Sequence, residues 1–230
     1  ENNQEAYDNM VQAYRISEHA DVRLPIMICQ DGFITSHAVE NIELLDDAEV
    51  KNFVGEYEPE NYLLNPECPM AVGPYAITDY YMEAKRSQAE GMKHVPAVVE
   101  EVAKEFAKVS GREYGLFESY CMEDAERAVV MIGSAAGTTK DAIDRLREQG
   151  EKVGLVKIRL FRPFPADEIA EAFKNVKAVA IMDRAESYTN HGGPLGVDVM
   201  SALYRAKADA LAVNYIYGLG GRDVRVEDME

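Results

Sequence analysis

The fold is decided by residues 155–221, which contain Lys157-Ile-Arg-Leu-Phe-Arg-Pro-Phe-Pro165, Ile181-Met-Asp-Arg-Ala-Glu186 and Tyr217-Gly-Leu-Gly-Gly221. Each of these segments holds an apolar run that stops abruptly at Arg, Pro, Asp or Gly, and a short helical pattern separates each segment from the next. Such alternation is typical of a parallel sheet whose loops gather at the carboxyl ends of the strands. The sequence therefore predicts an α/β fold of mostly parallel sheets with helices on both faces, arranged in two lobes.

The rest of the second half of the chain continues this alternation. A buried strand is predicted at Arg127–Gly133, and a helix capped by Thr138 or Thr139 then runs to Gln149, where Gly150 ends it. The periodicity predicts further strands at Lys152–Leu160, Ala178–Met182 and Asn214–Tyr217, and further helices at Ala166–Phe173 and Leu195–Ala206.

The first half of the chain is less regular. The apolar run Leu24-Pro-Ile-Met-Ile-Cys29 predicts a short buried strand, in which Cys29 is a small core residue. Residues 31–78 are rich in Pro, Asn and Gly, and an irregular segment of this length is usually functional or lies at an interface. Helices are predicted from Asn2 or Asn3 to Ile16, at Asp46–Phe53, and at Tyr80–Val109 with a break near Gly91 or Pro96.

Composition excludes several classes of function. The chain has 230 residues, a formal net charge of −17, and 47% hydrophobic residues. This charge argues against binding of DNA or RNA, and it disfavours docking of a small acidic redox protein. Since no apolar run approaches about 18 residues, no membrane span is predicted. The first residue is Glu1 rather than Met, so we expect the sequence to be part of a longer polypeptide.

The cysteines point to a reducing cytoplasm. The sequence contains three, Cys29, Cys68 and Cys121, and they form no C-x-x-C motif. An odd and scattered set predicts no disulfide framework. An iron–sulfur cluster needs about four closely placed thiolates, so any cluster must lie on another chain. The four His residues are far apart in sequence, so no metal site is predicted either.

Two segments carry candidate ligand-binding residues. The histidine segment, Asp31-Gly-Phe-Ile-Thr-Ser-His37, offers a carboxylate, two hydroxyls and an imidazole, with Asp31 and His37 as candidates for lining a pocket. The alternative for this segment is an Asx turn with surface polar residues. The glycine segment, Gly133-Ser-Ala-Ala-Gly-Thr-Thr139, joins a strand to a helix and could cradle a phosphate, or it is a plain turn with a hydroxyl cap. Its candidates are Gly133, Ser134, Gly137 and Thr138.

Two arginines flank Phe161 in the first of the three fold-deciding segments. Arg159 and Arg162 are predicted to form ion pairs with Asp183 or Glu186 on the neighbouring loop. The alternative is that they contact an anion at a subunit boundary.

Several of these segments together resemble the alpha subunit of the 2-oxoacid:ferredoxin oxidoreductases, and most closely of those that act on pyruvate. They lie in the same order over nearly the whole chain. The matching stretches are Glu1–Asp8, Asp31–His37, Gly133–Gly137, Arg162–Pro165, Asp183-Arg184 and Gly218–Asp223.

The resemblance implies an enzyme that converts a 2-oxoacid and coenzyme A to an acyl thioester and carbon dioxide, or catalyses the reverse reaction. With pyruvate as the 2-oxoacid, the thioester is acetyl-CoA. It implies thiamine diphosphate and Mg²⁺ shared with partner subunits, coenzyme A as a substrate, and iron–sulfur clusters on other subunits. The implied partners are beta, gamma and delta subunits, with ferredoxin reached through them. It also implies a pyrimidine-binding-like domain ending near residue 85, a helical connector over residues 86–112, and a transketolase-C-terminal-like domain over residues 113–230.

No catalytic residue is transferred from the family. Its alpha subunits carry a Tyr-Pro-Ile-Thr-Pro motif, a Glu and an Arg at the active site, and this sequence contains no such segment. We therefore expect the chain to supply subunit interface and part of the active-site frame, and to be inactive alone. The alternatives are an alpha subunit for 2-oxoglutarate or a branched-chain 2-oxoacid, a nucleotide-binding or regulatory module, and a non-catalytic scaffold.

Overall fold

The structure is a computed structural model that describes residues 2–189 and 191–230. The helices are α1 (Asn3–Glu18), α2 (Ile34–His37), α3 (Asp47–Val54), α4 (Tyr81–Ser110), α5 (Ala135–Glu148), α6 (Ala166–Ala172), α7 (Pro194–Ala206) and α8 (Val226–Met229). The strands are β1 (Phe117–Tyr120), β2 (Arg127–Met131), β3 (Val153–Ile158), β4 (Ala178–Asp183) and β5 (Leu211–Ile216).

Contacts within the chain define two compact units. The first unit contains Glu1–Asp8, Ile28–Ile42 and Tyr114–Glu230, and the second contains Asn9–Met27 and Glu43–Glu113. The domain limits expected near residues 85 and 112 stay a prediction, because packing contacts do not define where the domains of a family begin and end.

The first unit is built on a five-stranded sheet with the strand order β1-β3-β2-β4-β5. Strands β3, β2, β4 and β5 pair in parallel, and β1 joins the edge of β3 antiparallel to it. The predicted α/β fold with a mostly parallel sheet is therefore confirmed. β1 was not predicted, because Phe117-Glu-Ser-Tyr120 contains no apolar run by which a strand could be recognised.

Helices cover both faces of this sheet. Successive residues of a strand point to opposite faces, and Val130 and Met131 of β2 accordingly enter different cores. One core joins Val130, Val156 and Ile181 of the strands to Phe173, which directly follows α6, and to residues of α6 and α7, among them Ile169, Leu195 and Val199. The other core joins Met131 and Leu155 to Ala136 and Ile143 of α5. Burial on both faces explains why β2, β3 and β4 are mostly apolar.

The order of the sheet brings three chain segments to one edge. The strands β2, β4 and β5 are neighbours and parallel, so their carboxyl ends lie side by side. The residues that follow these ends are Gly133 and Ser134 after β2, Arg184 after β4, and Tyr217 and Gly218 after β5. This is the edge at which α/β sheets usually bind ligands.

The strand predicted at Leu24–Cys29 is wrong. Residues 24–29 lie outside any strand, Met27 is 86% exposed, and Cys29 is exposed rather than in the core. A strand is stable only when its backbone N–H and C=O groups pair with a neighbour. The strands that the structure describes all lie beyond residue 116, so this apolar run has no partner strand among the described residues.

The helix α4 runs without the predicted break. It continues from Tyr81 to Ser110 with Pro96 inside it. Pro96 removes one intrahelical hydrogen bond, but an apolar stripe on the following turns is buried and stabilises the helix. That stripe includes Val98, Val102 and Phe106.

The second unit packs α4 against α3. Phe53 of α3 meets Phe106 edge to face, with the ring centroids 5.4 Å apart. The guanidinium of Arg15 lies 5.0 Å from the Phe53 ring centroid and pairs with Glu105. Asp46 caps α3 by accepting a hydrogen bond from the N–H of Ala48, and the helix predicted at Asp46–Phe53 is thereby confirmed.

Within residues 2–189 and 191–230, no helix has both the length and the apolar character needed to cross a membrane.

Candidate functional site

The histidine segment and the glycine segment meet at the carboxyl edge of the sheet. The hydroxyl of Ser134 donates a hydrogen bond to the carboxylate of Asp31. The guanidinium of Arg184, directly after β4, pairs with the same carboxylate at 2.8 Å. The structure therefore brings together two of the predicted candidates, Asp31 and Ser134, and adds Arg184 as a third member of this contact.

Arg184 also reaches the end of β5. Its Nε donates to the carbonyl oxygen of Gly218 at 3.4 Å, and its guanidinium lies 5.9 Å from the ring centroid of Tyr217. Burial raises the pKa of the Tyr217 hydroxyl, so this group stays neutral and available as a donor. The contact among Asp31, Ser134 and Arg184 thus ties together the ends of three parallel strands.

His37, the other candidate of the histidine segment, lies away from this contact. It ends α2 and is exposed, and its Nδ1 is 2.8 Å from the hydroxyl of Ser36. Its ring stacks on Phe33 with 5.0 Å between centroids. Both of these contacts stay within the histidine segment, so the structure does not join His37 to Asp31 and Ser134.

The glycine segment is a tight strand-to-helix turn. Gly133 has a φ of 94°, a conformation that L side chains rarely adopt. The helix α5 begins at Ala135, so the prediction that Thr138 or Thr139 caps it is wrong. Both threonines lie inside the first turns, where the buried hydroxyl of Thr139 donates to the carbonyl of Ala135 at 3.0 Å.

The backbone of this turn offers little to a phosphate. The N–H groups of Ala136 and Gly137 bond back to the carbonyls of Gly133 and Ser134 at 3.3 and 3.2 Å. A phosphate cradle needs such N–H groups to point at the anion. The geometry therefore favours the turn over the cradle, and the predicted binding roles of Gly133, Ser134, Gly137 and Thr138 stay predictions.

A small cavity of about 240 Å³ lies beside the turn. Its lining includes Thr35, Glu40, Ser134, Gly137, Lys140 and Lys157. Thr35 is 5% exposed, and its hydroxyl oxygen is fully buried without a hydrogen-bond partner among the described residues. Because that oxygen is itself closed to solvent, a ligand could reach it only after a local rearrangement.

The two cations of the cavity are already paired within the chain. Lys157 lies 2.9 Å from Glu5 and 2.7 Å from Glu118, and Lys140 also pairs with Glu118. Burial works to raise the pKa of Glu5, but the positive charges beside it, chiefly that of Lys157, and the hydrogen bonds that they donate together hold that pKa below its ordinary value. Burial works to lower the pKa of Lys157, and the two carboxylates outweigh it and raise that pKa. The cavity therefore attracts a free anion only weakly.

Asp183 caps helix α7, whereas the sequence predicted that it pairs with an arginine. Its carboxylate is 5% exposed and accepts hydrogen bonds from the N–H groups of Leu195 at 3.0 Å and Gly196 at 2.7 Å. The side-chain amide of Asn214 donates to the same carboxylate at 2.9 Å. Asp183 thus occupies the amino end of α7, the place where an external anion would otherwise bind.

The predicted ion pairs of the two arginines with Asp183 or Glu186 are wrong. Arg162 pairs with Asp198 at 2.8 Å instead. Arg159 lies 4.8 Å from the ring centroid of Tyr114 and donates to the carbonyl of Gly115 at 3.2 Å. The buried carboxylate of Asp183 is turned toward α7, and its hydrogen-bond partners there leave it no role as an arginine partner.

Metal ligands are not clustered in the described part of the chain. Within residues 2–189 and 191–230, no group of three or more His, Cys, Asp or Glu side chains could hold a metal ion. Cys29 and Cys68 are exposed and Cys121 is partly buried, all as free thiols.

Two family models match the chain. The model described as the thiamine-diphosphate-binding domain of pyruvate flavodoxin/ferredoxin oxidoreductase matches residues 1–104. The model described as core domain II of pyruvate:ferredoxin oxidoreductase matches residues 125–229.

Curated relatives are similar over nearly all of this sequence. Pyruvate synthase subunit PorA of Thermotoga maritima is 48% identical over 227 residues, which are 99% of this chain and 58% of that protein. The alpha subunit of NADH-dependent phenylglyoxylate dehydrogenase from Aromatoleum evansii is 37% identical over 97% of this chain and 55% of that protein. The chain spans less than three fifths of the length of these relatives.

One solved structure is similar at a greater distance. It is 2-oxoglutarate:ferredoxin oxidoreductase from Magnetococcus marinus with 2-oxoglutarate, coenzyme A and succinyl-CoA bound. The identity is 18% and the TM-score 0.41, over 64% of this chain and 21% of that chain. A likeness this distant carries no argument about function.

Proposed function

The chain belongs to the pyruvate flavodoxin/ferredoxin oxidoreductase family, and we propose that it serves in the alpha subunit of a thiamine-diphosphate-dependent pyruvate:ferredoxin oxidoreductase. The observation that carries the proposal is the 48% identity to a pyruvate synthase subunit over 99% of the chain. Both halves of the chain match models of this one family, which supports the same assignment. The proposed reaction converts pyruvate and coenzyme A to acetyl-CoA and carbon dioxide, with the released electrons passed to ferredoxin, or runs in reverse.

The proposed role of this chain is to frame the active site rather than to supply its reactive groups. The carboxyl edge of the sheet is closed by the chain's own contacts among Asp31, Ser134 and Arg184. The amino end of α7 is closed by Asp183. Hydrogen-bond donors and cations that already pair within the chain stabilise its folded structure, and few of them are left to bind a substrate. We assign residues 1–85 to the cofactor-binding domain, 86–112 to a connector and 113–230 to the second domain.

The described residues do not by themselves fit thiamine diphosphate and Mg²⁺. The cavity of about 240 Å³ is smaller than usual cofactor pockets, which have about 300–1,000 Å³. Its lysines are already neutralised, and the described residues form no metal-ligand group. The cofactor and its Mg²⁺ are therefore proposed to be held jointly with partner subunits, with Asp31, Ser134 and Gly137 behind the site as structural support.

The electron path is also proposed to lie on other chains. A cluster takes about four thiolates, and the three free cysteines at positions 29, 68 and 121 cannot supply them. We propose beta, gamma and delta subunits as partners, with the iron–sulfur clusters and the ferredoxin contact on those subunits. Free thiols, two of them exposed, support a reducing cytoplasm as the location.

A second substrate remains a candidate because of one relative. The phenylglyoxylate dehydrogenase subunit is 37% identical to this chain, so similarity at this level extends to a protein named for another 2-oxoacid. The substrate is therefore tested among pyruvate, 2-oxoglutarate, a branched-chain 2-oxoacid and phenylglyoxylate.

The test is reconstitution with companion subunits. The chain is produced as its complete gene product together with the beta, gamma and delta subunits, and coenzyme A-dependent reduction of a viologen dye is measured with each 2-oxoacid. We expect the highest kcat/KM with pyruvate and no reduction when the alpha subunit is left out. A complex that assembles yet reduces no dye with any of the four acids would contradict the proposed function.

A further inference from the structure

The apolar run Leu24-Pro-Ile-Met-Ile-Cys29 has the composition of a buried strand and none of its contacts. No backbone N–H or C=O group of residues 24–29 forms a hydrogen bond with another described residue. The side chains of Ile26, Met27 and Ile28 are 40%, 86% and 38% exposed. The same short run therefore exposes both its peptide groups and its apolar side chains.

The pattern of the run is that of a strand covered on both faces. Side chains alternate across a strand, so Ile26 and Ile28 share one face and Met27 lies on the other. An apolar run without alternating polar residues is typical of the inner strands of parallel sheets. Pro25 is compatible with this role because it stands at the start of the run. Peptide groups that are buried need partners, so the run requires a neighbouring strand once its side chains are covered.

The described residues do not supply that neighbour. The strands that the structure describes all lie beyond residue 116 and form one sheet, whose two edges are β1 and β5. The run pairs with neither edge. In residues 2–104, which fall within the match to the thiamine-diphosphate-binding domain, the regular elements are helices. A domain of helices and one unpaired apolar run lacks the sheet on which an α/β domain is built.

The comparisons indicate where the missing strands lie. This chain spans less than three fifths of the length of the curated relatives. A domain buries its own core, so the remainder of the same polypeptide is the expected cover. A second copy fits less well, because a strand that pairs with itself across a two-fold axis is antiparallel. A run that is apolar on both faces is typical of a parallel sheet instead.

We propose that residues 24–29 form an inner strand of a second parallel sheet, whose neighbouring strands come from the part of the same polypeptide outside residues 1–230. Pairing there satisfies the peptide groups of the run, and the core of that domain covers Ile26, Met27 and Ile28. The histidine segment then follows the carboxyl end of this strand, which is the position at which α/β sheets usually bind ligands. The inference goes beyond the proposed function, because it holds for any 2-oxoacid that the enzyme uses.

Photo-cross-linking identifies what lies against the run. The complete gene product is isolated together with the subunits that accompany it, after growth with photo-methionine, a diazirine analogue of methionine of similar size. The sample is irradiated and separated on a denaturing gel, where the band with the mass of a single chain contains only cross-links within one polypeptide. We expect this band to contain Met27 joined to a peptide from outside residues 1–230.

Two controls verify the assignment of this cross-link. Met131 is buried against α5, so it should be joined to a peptide of α5 in the same band. The variant Met27→Leu removes the diazirine from position 27 and keeps an apolar side chain of similar volume, which cores tolerate well. In this variant only the cross-links from position 27 should disappear.

Cys29 provides a second measurement that needs no analogue. Its thiol is exposed in the structure of residues 2–189 and 191–230. If the run is an inner strand of the complete polypeptide, alkylation of Cys29 by iodoacetamide requires local opening. We expect this alkylation to be at least about a hundred times slower in the native protein than in concentrated urea.

Four outcomes overturn the inference. They are cross-links of Met27 only in bands heavier than a single chain, cross-links only to residues 1–230, no cross-link while Met131 still reacts, and alkylation of Cys29 at the same rate with and without urea. None of these measurements uses enzyme activity. A complex that reduces no dye but shows the expected cross-link would contradict the proposed function and leave the inference standing.

Discussion

Replacing Asp183 with Ala should strongly destabilise the first unit of the chain. The carboxylate accepts hydrogen bonds from two N–H groups at the start of α7 and from the side-chain amide of Asn214, and Asp183 is 5% exposed. A hydrogen bond to a charged group contributes about 1.5–3 kcal/mol, and a buried donor left without an acceptor adds a penalty. Loss of an exposed helix cap costs about 0.5–2 kcal/mol. Three donors are affected at this buried position, so we expect a loss of about 3–5 kcal/mol.

Urea unfolding followed by far-ultraviolet circular dichroism measures this loss. With an m value of about 2 kcal/mol per molar urea, the midpoint should fall by about 2 M. Asp183→Asn keeps one acceptor oxygen and should lose about half as much. The control is Asp209→Ala, which removes an exposed carboxylate after α7 and should leave the midpoint within about 0.3 M. Equal midpoints for the Asp183 and Asp209 variants would refute the capping role.

Three further predictions concern the same unit. A Cβ on Gly193 would lie 2.4 Å from Cγ of Asp183, so Gly193→Ala should lower the free energy of unfolding by about 1–3 kcal/mol. Gly137 lies in α5, and a Cβ added there would meet nothing within 4 Å outside the helix's own backbone. Gly137→Ala should therefore raise the free energy of unfolding by about 0.5–1 kcal/mol, and thermal unfolding measures both changes. Burial works to raise the folded pKa of Glu5, but the positive charges beside it, chiefly that of Lys157, lower it, so the contribution of Glu5 is complete above the ordinary pKa of a glutamate and is lost as the pH falls through the lowered value. Glu5→Gln should therefore cost about 2 kcal/mol near pH 7 and less near pH 3, measured by urea unfolding at both pH values. ATP at about 1 mM should leave the urea midpoint unchanged, because the N–H groups of Ala136 and Gly137 bond within the glycine segment and Asp183 already occupies the start of α7. A rise of about 1 M would show nucleotide binding, since a ligand at a hundred times its Kd adds about 2.7 kcal/mol.

Sequence patterns predicted the inner parallel strands because β2, β3 and β4 are largely buried on both faces. Ala178–Asp183 is apolar up to its last residue and Val153–Ile158 is apolar except for Lys157, so their pattern is visible without knowledge of their neighbours. The run Leu24–Cys29 shows the same pattern but has no partner strand among the described residues. Phe117–Tyr120 shows the opposite case, a polar strand that forms because the edge of β3 pairs with it. Hydrophobicity therefore predicted the buried inner strands well, but it predicted neither the pairing of β1 nor the exposure of residues 24–29.

The candidate site was predicted only in part, because the residues that form its contacts are far apart in the sequence. The two segments that hold Asp31 and Ser134 could be recognised locally as turn-forming and polar. Their contact spans 103 positions, and the ion pair of Asp31 with Arg184 spans 153. No local pattern encodes contacts between residues so far apart, so the partners of each arginine could not be assigned. A signal that could have identified the role of Asp183 is the turn Gly192-Gly193-Pro194 before α7, because a helix start without its own side-chain cap needs an acceptor from elsewhere.

The position of the carboxylates at the sheet edge favours a framing role over nucleotide binding. A phosphate at a helix start is stabilised by unsatisfied N–H groups and by the positive end of the helix dipole. At α7 both are already used by Asp183, and at the start of α5 the N–H groups of Ala136 and Gly137 bond within the turn. An incoming phosphate would have to displace a buried carboxylate that holds three donors, and it would then leave that charge without partners. The sheet edge that usually binds ligands is closed in this chain by the chain's own side chains, and this closure supports the proposal that the chain frames an active site rather than binding a nucleotide.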